Sequence, residues 1–200
     1  MKKYLRNECG WFIYKMSSKL IGLIFWNSEL ATEYKGFLIL VLLRSDSSFL
    51  SQTKKAIDFI ERHDVRRFHV LQKNINGIFP VRLTKGFCCI DEGFCSFIYN
   101  RLCLYPEDIR VPLYASMLVR EAVRIRIAKR ISYKKIFRDQ SLERRVEAMC
   151  CLEAVRFTLK FPEKMSETAV YLQNLILIIV ERKVSPIRGS GQIQNTLPFR

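Results

Sequence analysis

Arg120 and Arg124 stand four residues apart in a segment whose apolar residues recur at helical spacing. Leu113, Met117, Arg120, Arg124, Ile127 and Ile131 fall on one face of a predicted helix. The two guanidinium groups therefore emerge together from the centre of an otherwise apolar stripe, with Glu121 beside them. A second predicted helix carries Glu143, Glu147, Cys150, Ala154, Phe157 and Phe161 on one face. Its N-terminal end is acidic and its C-terminal end apolar. A buried, unpaired charge costs several kcal/mol, so the arginines need acceptors. Glu147 and Glu143 are the candidates if the two helices pack antiparallel. Arginine suits the task, because its planar fork holds a carboxylate through two hydrogen bonds. In the alternative register the arginines face solvent on a basic helix.

The residues around this pair resemble those of a family of uncharacterised bacterial proteins with a His-Glu-Ala-Thr-His motif of the gluzincin zinc-peptidase type. The likeness runs through Leu118-Val119-Arg120-Glu121-Ala122-Val123-Arg124-Ile125-Arg126, then Ile131-Ser132-Tyr133 and Leu142-Glu143-Arg144-Arg145-Val146-Glu147. Cys150, Glu153, Phe157, Phe161 and Pro162 complete it, within residues 113 to 162. In an HExxH helix two histidines one turn apart bind zinc, and the adjacent glutamate is the base for the zinc-bound water. A glutamate on a following helix often completes the ligand set. The resemblance implies a zinc-peptidase-like fold, with Glu121 at the base position and Glu147 at the third ligand. Both histidine positions are arginine here. A guanidinium has no lone pair to donate, and its charge repels a metal ion. The departure implies lost catalysis, with no metal and no cofactor. Two guanidinium groups could instead stand in for the cation and tie the helices through Glu147 and Glu121. An active enzyme using Glu121 with Glu147, or a cysteine, is a weaker reading, because no Cys/His pairing is visible.

Around these positions the chain is strongly basic. It has 200 residues, 34 Lys and Arg, 19 Asp and Glu, and a formal charge of +15. Residues 120–145 alone hold ten Lys or Arg against three acids. Lys129, Arg130, Lys134, Lys135, Arg138, Arg144 and Arg145 cluster around one predicted inter-helix connection. Such a cluster attracts phosphates in a salt-dependent way, and Tyr133 and Phe137 lie within it as stacking candidates. Nucleic acid, an anionic membrane surface and an acidic protein are all candidate partners. A solvated basic turn is the plainer alternative. No nucleic-acid fold signature accompanies the charge.

The remaining features bound the function classes. With 49% hydrophobic residues, 8 Gly and 6 Pro, the chain is neither disordered nor collagen-like. Its seven cysteines are odd in number, two pairs are adjacent in sequence, and no paired CxxC spacing occurs. Reduced thiols in a cytoplasmic protein are the expected state. His63 and His69 lie in another segment, with nothing linking them to the arginines. Glu8, Lys15 and Lys19 interrupt the N-terminal apolar stretch, so neither a signal peptide nor a transmembrane span is expected. Peripheral membrane contact stays open.

The elements that must position the arginines read as an α+β fold: a small, mainly antiparallel sheet followed by a helical half. Residues 11–26 and Ser51–Arg62 are predicted helices, and Gly36–Leu43 a buried strand or short core helix. Phe68–Leu71 and Ile78–Leu83 are predicted strands of a hairpin turning at Asn76-Gly77. Phe87–Ile90 and Phe94–Tyr99 flank Asp91-Glu92-Gly93 as two more. Helical periodicity follows Pro112 to about residue 160, and Ser166–Lys183 is a last predicted helix. One domain over 1–184 and a loose tail over 185–200 are expected, as the tail is rich in Gly, Ser and Gln.

Overall fold

The structure, a computed structural model, describes residues 31–40, 47–80, 88–89, 93–97 and 103–162, together with 165, 169–170 and 173–174. The predicted helix over 11–26, most of Ser166–Lys183 and the tail over 185–200 lie outside the described residues. The fold is α+β, a small sheet followed by a helical half. The chain runs through β1 (Ala31–Tyr34), β2 (Phe37–Leu40), α1 (Ser47–His63), α2 (Val65–Asn74) and β3 (Gly77–Pro80). Then come β4 (Cys88–Cys89), β5 (Phe94–Phe97), α3 (Glu107–Ile131), α4 (Tyr133–Arg138) and α5 (Gln140–Thr158).

The sheet is mixed, in the order β1-β2-β3-β5-β4. Its outer pairs are antiparallel and its two central pairs are parallel. The hairpin predicted at Asn76-Gly77 is therefore replaced by a crossover, with α1 and α2 carrying the chain from β2 to β3. Phe68–Leu71, read as a strand, belongs to helix α2. Asp64 caps that helix by accepting the Arg67 amide, and Phe68, Leu71 and Asn74 recur at its buried face. At Asn76 and Gly77 the amides turn to the Gly93 carbonyl, at 2.8 and 3.4 Å. Gly93 has φ +72°, and a Cβ there would lie 2.8 Å from the Asn74 carbonyl oxygen, so only glycine fits. The hairpin that does form turns at Lys35-Gly36, both with positive φ, as a two-residue turn between twisted strands requires.

Central parallel strands are normally buried on both faces, and these are. Ile39, Ile78 and Cys95 lie in register across β2, β3 and β5 and join the main core with Phe37. Leu40, Phe79 and Phe94 form a separate cluster. Helix α3 is the hub of the helical half, packed against α1, α2, α4 and α5. It begins at Glu107, five residues before the start expected from Pro112, and the proline lies inside it. The buried Thr53 and Tyr114 hydroxyls join α1 to α3 at 2.9 Å.

Ion pairs fasten the outer elements. Lys35 bridges Asp58 and Glu61 from the β1–β2 turn, and the Tyr34 hydroxyl donates to Asp58 at 2.7 Å. Burial opposes ionisation of Asp58, but the bonds from Lys35 and Tyr34 outweigh it and hold the carboxyl below its ordinary value. Glu153 is held down in the same way, with Arg156 and Arg67 outweighing burial. A depressed carboxylate stabilises the fold fully above its unfolded pKa and loses that effect as pH falls through the folded value. Stability is therefore expected to decline below the ordinary values of 3.8 and 4.5. Denaturant midpoints taken down the acid range should show a shallower decline for Asp58→Asn than for the parent. Equal slopes would remove Asp58 from the account.

Candidate functional site

Helices α3 and α5 bring the predicted charges together. Asp139 starts α5 by accepting the amides of Ser141 and Leu142 at 2.9 and 3.1 Å. Ser132, with φ +75°, ends α3, and its amide donates to the Ala128 carbonyl. The short α4 between them packs against both long helices. In this frame Glu147 is buried on α5 and accepts from Arg120. The second Glu147 oxygen lies 3.7 Å from Arg124, and Arg120 reaches Glu121 at 3.1 Å. All four side chains are largely covered, at 14% exposure for Arg120, 19% for Arg124, 10% for Glu121 and 5% for Glu147.

The register with the arginines inward is the one observed. Glu143 is exposed and takes no part in the cluster, and Ile131 is 37% exposed. Glu143 lies in the first turn of α5, one turn before Glu147, where the helix end opens to solvent. Two further features join the cluster, the first at the four-residue spacing of one helical turn. The Cys151 thiol donates to Glu147 at 3.7 Å, adding a weak third donor. One Glu121 oxygen is buried without a partner among the described residues.

The electrostatics are those of a closed set. Two guanidinium charges meet two carboxylates, so the cluster is formally neutral. Burial works against the Arg120 charge, but Glu121 and Glu147 outweigh it and keep the group firmly protonated. The Cys150 thiol is pushed up to about 12, first by burial and then by the Glu121 and Glu147 charges. It is therefore neutral at ordinary pH and a poor nucleophile. At about pH 8, iodoacetamide should label exposed Cys103 readily and spare Cys150 in the folded protein. Peptide mapping after brief labelling decides this, and equal labelling would mean that α5 opens.

The cluster does not fit zinc. Its two cations have no lone pairs. Among the described residues no group of three or more His, Cys, Asp and Glu side chains could hold a metal ion. The His63 ring lies tilted against Phe59, with ring centres 4.3 Å apart, and His69 is within hydrogen-bond distance of Gln72. Cys95, Cys103, Cys150 and Cys151 are free thiols.

The basic residues of the α3–α4–α5 connection have mixed exposure. Lys129, Arg130, Lys135, Arg138 and Arg145 are exposed, while Lys134 and Arg144 are half-buried. Tyr133 packs partly against the main core, which restricts it as a stacking platform. The Phe137 side chain lies outside what is described. Among the described residues no helix is long and apolar enough to cross a membrane.

No family model, curated protein or solved structure matches this chain.

Proposed function

We propose that this chain is a non-catalytic basic protein in which a guanidinium–carboxylate cluster replaces a metal centre, serving a structural or interaction role. The supporting observation is that Arg120 and Arg124, at the positions resembling metal-binding histidines, both converge on Glu147, at the position resembling the third ligand. In such peptidases a zinc ion would bring two positive charges to these carboxylates. Two guanidinium groups bring the same charge through hydrogen-bonding forks, which bind carboxylates and cannot activate water as a Lewis acid. The Glu121 position keeps its carboxylate, and the cation 3.1 Å from it is the Arg120 guanidinium. Elemental analysis of protein purified without added zinc tests this reading. Zinc well below one atom per chain is expected. One tightly held zinc per chain would overturn it.

The exposure of Lys129, Arg130, Lys135, Arg138 and Arg145 favours a second reading, in which this surface binds nucleic acid or another anionic surface. Retention of labelled oligonucleotide on filters, followed over salt, tests it. No retention at low salt would sink it.

A further inference from the structure

Helices α2 and α3 enclose a groove made of two adjoining hollows, which share Arg66, Val70 and Arg126. The inner hollow, of about 360 Å³, is closed on its third side by Glu153 and Arg156 of α5. Its floor is apolar, built from Val70, Val119, Ala122 and Val123. The outer hollow, of about 590 Å³, adds Lys73 from α2 and Lys129 and Arg130 from the last turn of α3. Both volumes fall in the range of small-molecule sites, roughly 300–1,000 Å³.

The charge in this groove is one-sided. Among the described residues Glu153 is the single acidic side chain lining it, and it is already engaged by Arg67 and Arg156, at 3.0 and 2.7 Å. Arg66 and Arg126, at the junction of the two hollows, have no ion-pair partner among the described residues. On α3, Arg126, Lys129 and Arg130 follow helical spacing, as Arg66 and Lys73 do on α2. Cations from two helices thus converge across one concave surface, where their mutual repulsion is relieved by a multiply charged anion. Arginine forks take phosphate oxygens in pairs, and lysines take them as point charges.

We infer that the α2–α3 groove binds a compact polyphosphate, a chain of two or more linked phosphates, with its charge between Arg66 and Arg126. Among the described residues no Phe, Tyr or Trp lines the groove, so unstacked bases find no aromatic platform there. This favours a compact anion over a nucleic-acid strand. The apolar floor can accept an uncharged group attached to the phosphates. The inference is independent of the zinc-replacement reading, because none of the groove residues named belongs to the Arg120–Glu147 cluster.

Titration calorimetry of the full chain with inorganic tripolyphosphate at low salt tests it. One-to-one binding is expected, weakening as salt rises. Arg66→Glu and Arg126→Ala should each weaken it by about tenfold or more, the loss of one good charge-assisted contact. Lys135→Ala/Arg145→Ala, outside the groove, should leave it within about twofold. Arg66 is exposed, so Arg66→Glu remains informative if Arg126→Ala fails to fold. A nucleoside triphosphate that binds more tightly than tripolyphosphate would place its organic part on the apolar floor and support the site. Two results would overturn it. One is no binding of tripolyphosphate. The other is an oligonucleotide that binds more tightly than tripolyphosphate and is lost with Lys135→Ala/Arg145→Ala but kept with Arg66→Glu.

Discussion

Arg120→Ala is expected to destabilise the protein by about 3–5 kcal/mol, the cost of stranding a buried ionic partner. At this chain length that corresponds to a fall in Tm of roughly 6–20 °C. The size follows from burial. Glu147 is 5% exposed, and Arg120 is its close partner, ion-paired also with Glu121. Removing the guanidinium leaves two carboxylates under cover, with Arg124 at a longer 3.7 Å from Glu147. Arg124→Ala should cost less, because that pair is longer. A double-mutant cycle of Arg120→Ala and Glu147→Ala should show coupling of about 1–3 kcal/mol, since each single change removes the same interaction. Thermal melts followed by circular dichroism give both quantities. An Arg120→Ala protein that melts with the parent would mean that the cluster holds nothing together.

Arg120→His/Arg124→His should convert the cluster into a zinc site. Two histidines four residues apart on α3 and Glu147 on α5 would supply a His₂Glu ligand set. Without metal, the variant is expected to be less stable than the parent, because Glu147 loses both guanidinium partners. With zinc at about a hundred times its Kd, about 2.7 kcal/mol should return. The measurements are zinc retained after dialysis and the shift in Tm on adding metal. Failure to retain zinc would show that α3 and α5 stand at a separation suited to the longer arginine side chain. It would also weaken the resemblance on which the non-catalytic reading rests.

The legible parts of this molecule are those written in local spacing. Arg120 and Arg124 could be assigned to one face because four residues make about one helical turn, and Glu147 followed as the buried acceptor. Glu143 could not be excluded, since its exposure depends on where α5 begins relative to α3. The Phe68–Leu71 segment misled because four residues are too few to separate period two from period three and a half. The informative signal was Asp64 as a cap, with Phe68 and Leu71 three apart. Asn76-Gly77 carries a hairpin signature, but a strand's neighbours are fixed by distant residues, and Gly93 took that role. The α2–α3 groove was invisible for the same reason. With its α2 side read partly as a strand, Arg66 and Lys73 had no common face to share with Arg126.

The ionic joint between α3 and α5 is built wholly from side chains, which gives it properties that a metal joint lacks. Its cations are in place as soon as the polypeptide is synthesised, so no insertion step, chaperone or trace-element supply stands between synthesis and the finished core. Chelating agents have nothing to remove from it, and competing ions have nothing to displace. Arginine also has no neutral form near physiological pH, so the joint keeps its charge where a histidine-based one would let go.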